Sequence, residues 1–174
     1  MATKENIKNQ IFELVDEFYK INNKELPDNI VPVAGKVYDS EELKNIIEAA
    51  LQGWWTENIW VDRFEDMFKK FLGVNNVLMV NSGSSANLLA IYALTSPELG
   101  ERRIKKGDEV ITVAAGFPTT INPIVQIGAI PVFLDVKLST YSIKTDDLDE
   151  ALSDRTRAIM VAHTLGNPFN VDRV

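Results

Sequence analysis

The chain contains no cysteine, and this absence excludes several kinds of chemistry. Disulfide bonds, thiolate metal ligands and cysteine nucleophiles all need a thiol, so none of them is available within these 174 residues. Histidine is nearly absent as well, since His163 is the single example. The sequence therefore predicts no metal site.

Positive charge and long apolar runs are also scarce. Lys and Arg number 18 against 25 Asp and Glu, which gives a formal net charge of −7. Nucleic acids and anionic membranes attract surplus positive charge, so we expect neither as a partner. No apolar run approaches the roughly 20 residues that cross a bilayer, and the first ten residues lack the apolar segment of a secretory signal peptide. We expect a cytoplasmic protein.

What is present is an ordinary globular mixture with a helical first part. Apolar residues recur at helical spacing over 7–21 and predict an amphipathic helix, followed by a turn and an extended stretch at 30–33. Asp39 and Glu42 have the spacing of a capping box before a second helix, which Gly53 ends.

A third helix is predicted by a stripe of phenylalanines and closes at Gly73. Phe64, Phe68 and Phe71 fall on one helical face. An aromatic stripe at this spacing is typical of a core-facing helix, so we expect these three rings to lie in the core.

Beyond residue 75 the pattern alternates between short apolar runs and helical segments. Strands alternating with helices indicate an α/β domain with a mostly parallel sheet. Ligands of such sheets bind beyond the carboxyl ends of the strands, so the residues after each strand are the candidate site. The predicted strands are 76–80, 109–113, 131–134 and 158–162, and the predicted helices are 84–95, 118–127 and 145–152.

The strongest local signal is the segment VLMVNSGSSANLLA at 77–90. It predicts a buried strand that enters a helix through a Gly-Ser-Ser turn. The first amides of a helix have no intrahelical acceptor, and the helix dipole places positive charge behind them, so the turn suits a phosphate. Ser82, Ser84 and Ser85 add hydroxyl donors, although serines at such a turn can also simply cap the helix.

The other predicted strand ends carry an aromatic ring, a carboxylate, an imidazole and an amide. These are Phe117, Asp135, His163 and Asn167. Each has a simpler explanation, as a core phenylalanine, a turn-forming aspartate or a hydrogen-bonded structural histidine. Together with the serine turn, however, they predict a site for a phosphorylated, planar aromatic cofactor, which needs a phosphate cradle and a stacking ring.

Several motifs extend this prediction to a family. From about residue 31 to 174 the chain resembles the N-terminal part of the DegT/DnrJ/EryC1/StrS sugar aminotransferases, which are fold-type-I pyridoxal-phosphate enzymes. The resemblance implies part of a three-layer α/β/α large domain at 36–174, with residues 1–35 as an N-terminal helix and extended arm. It rests on GWWT at 53–56, NSGSSANL at 81–88, GDEVITVAAGFPTTINPI at 107–124, GAIPVFLDV at 128–136, TYSI at 140–143 and TRAIMVAHTLGNPFNVDRV at 156–174.

The resemblance also implies roles for individual residues. The residues that match the family's cofactor-binding positions are Gly83, Ser84 and Ser85 at the phosphate, Phe117 on the pyridine ring, and His163. Those that match positions near the substrate are Thr56, Asp135 and Asn167. The stretch Asn58-Ile59-Trp60 departs from the family, which usually carries a glycine followed by Arg-Phe there.

Within the family, the motifs most resemble the branch that removes the C3 hydroxyl of a CDP-4-keto-6-deoxyhexose with pyridoxamine phosphate. The cofactor ring serves as an electron sink in that reaction. The branch implies a nucleotide-sugar substrate, a homodimer, a reductase partner and, in the full-length protein only, a 2Fe–2S cluster. A sugar aminotransferase is the alternative. A non-catalytic nucleotide-binding module is a third, although neither GxGxxG nor GxxxxGKS/T occurs in the chain.

The residues that would decide between these activities are missing from the sequence. In the family, the carboxylate for the pyridine nitrogen, the Schiff-base lysine or its histidine replacement, and the cluster cysteines lie beyond the equivalent of Val174. The loop lysines Lys36, Lys105, Lys106, Lys137 and Lys144 are not placed to serve as the Schiff-base residue. We therefore expect a fragment of a larger domain that contains no catalytic residue and is inactive alone.

Overall fold

The computed structural model describes residues 3–22, 27, 29–32 and 34–174. The chain forms two compact units, Met1–Met79 and Val80–Val174. The boundary expected at residue 35 stays a prediction. Parts of the turn and extended stretch expected after the first helix, at 23–26, 28 and 33, lie outside the described residues. No helix among the described residues has the length and apolar character needed to cross a membrane.

The first unit contains three helices, α1 (Lys4–Asn22), α2 (Ser40–Leu51) and α3 (Ile59–Leu72). The predicted capping box at the start of α2 is confirmed: the Glu41 amide donates to Asp39 Oδ1 at 2.7 Å, and the Asp39 amide donates to Glu42 Oε2 at 2.7 Å. Gly73 ends α3 with a left-handed φ of 68°. Lys44 of α2 forms an ion pair with Asp16 of α1, with 2.8 Å between Nζ and Oδ1.

The prediction that the α3 phenylalanines lie in the core is wrong. The Phe64 and Phe68 ring centroids are 5.3 Å apart, and those of Phe68 and Phe71 are 6.1 Å apart. The three side chains are nevertheless 43%, 38% and 81% exposed, and α3 contains no buried residue. Helical spacing places the rings on one face, but it does not supply an element that covers that face.

The second unit is a parallel sheet with helices, which confirms the α/β prediction. The strands have the order β2–β1–β3, and β1 is parallel to both neighbours. The strands are β1 (Glu109–Val113), β2 (Ile130–Leu134) and β3 (Thr156–Ile159), the helices are α4 (Gly83–Ala93), α5 (Pro118–Gln126) and α6 (Leu148–Ala151), and short 3-10 segments occupy Pro97–Arg102, Thr145–Asp147 and Thr164–Gly166.

The core of this unit lies on both faces of β1. Ile111 of β1 pairs with Val132 and Ile159 in the neighbouring strands. Val110 packs on one face with Ile91 of α4 and Ile124 of α5. The opposite face of β1 packs against residues that include Val136, Ile143 and Leu148. Helices therefore cover one face, while the segment around α6 covers the other.

Two of the four expected strands differ from the structure by more than one residue. Residues 76–80 pair with no described strand, so the strand predicted there is wrong. The Met79 amide donates instead to Glu65 Oε1 at 2.7 Å. An apolar run favours an extended backbone, but a strand also needs a neighbour that supplies hydrogen bonds. Strand β3 begins and ends earlier than expected, although the Met160 amide still donates to Ile111 O at 2.8 Å.

Candidate functional site

The serine turn opens α4, as the sequence predicted. Ser82 is the N-cap residue, and its Oγ accepts a hydrogen bond from the Ser85 amide at 3.2 Å. The Ser85 hydroxyl donates to Asn81 Oδ1 at 2.6 Å. Ser82 therefore does serve as a helix cap, which was the simpler explanation, and this cap fixes the direction in which the first amides of α4 point.

The next two amides of this turn remain available. Within the part of the chain that the structure describes, the Gly83 and Ser84 amides donate to no acceptor. Both residues are exposed, and a Cβ placed on Gly83 would have no atom within 4 Å. Free amides on exposed residues at the positive end of an 11-residue helix form a site that an anion can reach.

Phe117 lies immediately before α5 and its ring faces solvent. It is the N-cap residue, with an extended backbone (φ −76°, ψ 138°), and Pro118 follows at the first helical position. The Thr120 amide donates to Phe117 O at 2.9 Å, which fixes the main chain at this position. The residue is 74% exposed, so it is not a core phenylalanine in this structure and its ring is free to stack on a ligand.

The starts of α4 and α5 lie side by side. A groove of about 180 Å³ separates them, lined by Ser84, Ser85 and Leu88 from α4 and by Thr119, Asn122, Pro123 and Gln126 from α5. Asn87 Nδ2 donates to Thr119 O at 3.3 Å and links the two helices directly. The serine turn therefore shares a groove with Thr119, which lies two residues after Phe117.

Asp135 follows β2 and is held by its own loop. Its Oδ1 accepts from the Val136 amide at 2.8 Å, and its Oδ2 lies 3.4 Å from Lys144 Nζ. The Val136 amide and then the Lys144 ammonium hold the pKa of the Asp135 carboxyl below its usual range. The side chain is exposed, so an ionised carboxylate stands at the carboxyl edge of the sheet.

His163 and Asn167 lie in the loop after β3. The His163 ring is 4.4 Å from the Phe169 ring, between centroids. The main-chain oxygen of Asn167 accepts from Ser142 Oγ at 3.1 Å. Among the described residues, no hydrogen bond or ring contact joins Asp135, His163 or Asn167 to the serine turn. Their roles at a cofactor therefore stay predictions.

Thr56 belongs to the first unit and lies in the bend before α3. The loop around it is tied by two hydrogen bonds. Trp54 Nε1 donates to Glu57 O at 2.9 Å, and Asn58 Nδ2 donates to Trp54 O at 2.9 Å. Thr56 itself is exposed, and its suggested place near a substrate stays a prediction.

The sequence did not point to two residues of the groove. Pro123 lines it, and Asn87 joins the two helices by its hydrogen bond to Thr119 O. A signal for Pro123 was available, because a proline inside a predicted helix deprives the carbonyl four residues earlier of its donor. That carbonyl is Thr119 O. The identity of the replacement donor required the packing of α4 against α5.

A parallel sheet, a helix start with free amides and an exposed aromatic ring at a second helix start define an α/β domain with an anion-accessible helix start. Comparison with known proteins identifies the family to which this domain belongs. The chain belongs to the DegT/DnrJ/EryC1/StrS aminotransferase family, whose model matches residues 36–174.

Two curated relatives show the same membership. The lipopolysaccharide biosynthesis protein RfbH of Salmonella typhimurium is 49% identical over 99% of the chain and 40% of its own length. The dTDP-4-dehydro-2,6-dideoxy-D-glucose 3-dehydratase of Saccharopolyspora spinosa is 53% identical over 81% of the chain and 30% of its own length. The chain thus spans less than half of the relatives it matches.

Solved structures agree on the fold. The E. coli GDP-4-keto-6-deoxy-D-mannose-3-dehydratase with bound hydrated PLP has a TM-score of 0.75 and 38% identity, over 83% of the chain and 36% of its own. The aminotransferase TlmJ from Streptoalloteichus hindustanus has a TM-score of 0.64 and 29% identity, over 76% of the chain and 34% of its own. The expected fold-type-I architecture is therefore confirmed.

Proposed function

We propose that this chain supplies part of the cofactor site of a pyridoxal-phosphate-dependent nucleotide-sugar enzyme. The observation that carries the proposal is the serine turn with two free amides, which shares a groove with the start of the helix that follows Phe117. The Gly83 and Ser84 amides, with the Ser84 and Ser85 hydroxyls, would hold the cofactor phosphate, and the Phe117 ring would stack on the pyridine. His163 is a further candidate contact.

The most specific activity that we propose is removal of the C3 hydroxyl of CDP-4-keto-6-deoxy-D-glucose, with pyridoxamine phosphate as cofactor. When bound, this cofactor supplies an electron sink for breaking bonds next to the C4 carbon of the sugar. Support comes from relatives and neighbours named as 3-dehydratases. The nucleotides in those names are dTDP and GDP, and the CDP specificity follows from the motif resemblance.

We propose further that the 174-residue chain is inactive alone. Three of the loop lysines named above form ion pairs. Lys105 pairs with Glu101 at 2.8 Å, Lys137 with Asp146 at 3.2 Å, and Lys144 with Asp135 at 3.4 Å. Within the part of the chain that the structure describes, no hydrogen bond or ion pair joins any of the three to the serine turn. The family's lysine or histidine would come from the part of the domain that the relatives have in addition, as would any 2Fe–2S cluster.

Two other functions compete with this one. A nucleotide-sugar aminotransferase is favoured by the similarity to TlmJ. A non-catalytic nucleotide-binding module would use the same turn for a nucleotide phosphate. A homodimer and a reductase partner also stay proposals, because they rest on the family resemblance. A cytoplasmic location stays a proposal that rests on the sequence pattern alone.

A titration separates the candidates. Pyridoxal phosphate and pyridoxal, which lacks the phosphate, are titrated against the chain and followed by absorbance. Ser84→Asp places a negative charge at the turn and should weaken pyridoxal phosphate about tenfold or more while leaving pyridoxal unchanged. Phe117→Ala should weaken both ligands. The matched control is Ser139→Asp, at an exposed serine in another loop, which should weaken neither.

Other results would contradict the proposal in distinct ways. Binding of CDP or another nucleotide without binding of pyridoxal phosphate would favour the non-catalytic module. Turnover of CDP-4-keto-6-deoxy-D-glucose by the chain with pyridoxamine phosphate would overturn the proposed inactivity. The product mass would then distinguish loss of the C3 hydroxyl from transfer of an amine.

A further inference from the structure

Helix α5 carries a proline in its interior, and this leaves one of its carbonyls without the usual partner. In a regular α-helix the amide of residue 123 would donate to the carbonyl of residue 119. Residue 123 is Pro123, which has no amide hydrogen. Pro123 is buried and lines the groove between α4 and α5, and its presence removes the usual main-chain donor to Thr119 O.

The missing donor comes from the neighbouring helix. Asn87 Nδ2 of α4 donates to Thr119 O at 3.3 Å, in a partly buried position. Asn87 lies four residues after Gly83, one turn beyond the start of α4, and Thr119 lies two residues after Phe117. This hydrogen bond joins the second turn of α4 to the first turn of α5, and these two helices carry the two halves of the proposed cofactor site.

We propose that Asn87 is a positioning residue that sets the separation between the phosphate turn and the Phe117 ring, an inference that rests on the proposed function. The phosphate and the pyridine belong to one small molecule, so both halves engage it together only when their separation is correct. A ligand that uses one half alone has no such requirement. Asn87 therefore affects binding of the whole cofactor and not binding of its parts.

The test compares three ligands on the chain and on Asn87→Leu, which removes the donor at similar side-chain size. Pyridoxal phosphate should bind about tenfold more weakly to the variant, because its two anchoring points are no longer held in register. Pyridoxal and inorganic phosphate should each change by less than about twofold. Asn75→Leu, at an exposed asparagine of the other unit, is the matched control and should alter none of the three.

A second variant separates positioning from stability. Pro123→Ala in the Asn87→Leu background returns a main-chain donor to Thr119 O but does not reconnect the helices. In a urea titration, the double variant should be little less stable than Pro123→Ala alone. Its affinity for pyridoxal phosphate should still be about tenfold lower than that of Pro123→Ala alone.

The inference is overturned if Asn87→Leu leaves pyridoxal phosphate affinity unchanged, if all three ligands weaken together, or if Pro123→Ala restores cofactor binding. Any of these outcomes, with unaltered effects of Ser84→Asp and Phe117→Ala, leaves the proposed function standing. Failure of the parent chain to bind pyridoxal phosphate overturns both.

Discussion

At the scale of single residues, Thr112 breaks the rule that buried polar groups are hydrogen-bonded. It lies in the middle strand β1, is fully buried, and shares a strand face with Val110. Among the described residues, its Oγ1 is the one fully buried side-chain nitrogen or oxygen without a hydrogen-bond partner. A hydroxyl moved from water into such a site loses its solvent hydrogen bonds without replacement.

We expect Thr112→Val to stabilise the chain by about 1 kcal/mol, because it replaces the unpaired hydroxyl with a methyl group of similar size. The free energy of unfolding in urea provides the measurement. Thr156→Val is the matched comparison, since Thr156 Oγ1 accepts from the Ser153 amide at 3.0 Å. It should destabilise by about 1 kcal/mol. Equal effects of the two substitutions would show that the Thr112 hydroxyl has a partner.

At the scale of secondary-structure elements, locally determined features could be predicted from the sequence. The α2 capping box depends on residues three positions apart, and strand β1 was predicted at its observed bounds because four strand-forming residues, 110–113, follow closely after a Gly-Asp turn. Features that need a second element could not be predicted. Residues 76–80 have the apolar run of a strand but no described strand pairs with them, and the α3 rings share one helical face but are not buried.

The candidate site divides in the same way. The first amides of any α-helix lack intrahelical acceptors, so the free amides after Ser82 could be predicted from the local sequence. The exposure of Phe117, and the groove that the start of α5 shares with the turn, depend on how α5 packs against α4. The Asn87–Thr119 hydrogen bond joins residues far apart in sequence, and no local pattern contains that information.

Gly73 offers a test of an element boundary. It ends α3 with φ at 68°, where a Cβ would meet no other atom within 4 Å, so any penalty arises from the backbone alone. Gly73→Ala should destabilise the first unit by about 1 kcal/mol. Gly35→Ala is the control, because Gly35 also has open space but no positive φ. Far-UV circular dichroism during urea unfolding reports the change, and identical midpoints for the two variants would contradict the argument.

At the scale of the whole molecule, burial is distributed unequally between the two units. Every buried hydrophobic residue of the described chain lies between Ile91 and Leu148, and helices α1, α2 and α3 contain none. Local stability follows the density of buried apolar contacts. The two units are therefore expected to differ in how readily they open.

Hydrogen exchange measured by mass spectrometry should resolve this difference. The amides of 110–113 in the middle strand should exchange slowest, and those of α1–α3 should exchange at least about a hundredfold faster. Peptides that cover each helix of the first unit serve as internal comparisons. Uniform protection across both units would contradict the expectation and would indicate that the first unit is buried by self-association.

The strand order has one more consequence, which concerns synthesis on the ribosome. Ile111 pairs on one side with Val132 and on the other with Ile159, and the second partner emerges well after the first. During translation the middle strand therefore exists for a time as one half of a two-stranded ribbon with an open edge. Such edges recruit other chains, so we expect a nascent chain to be prone to association while residues 134–156 are being added.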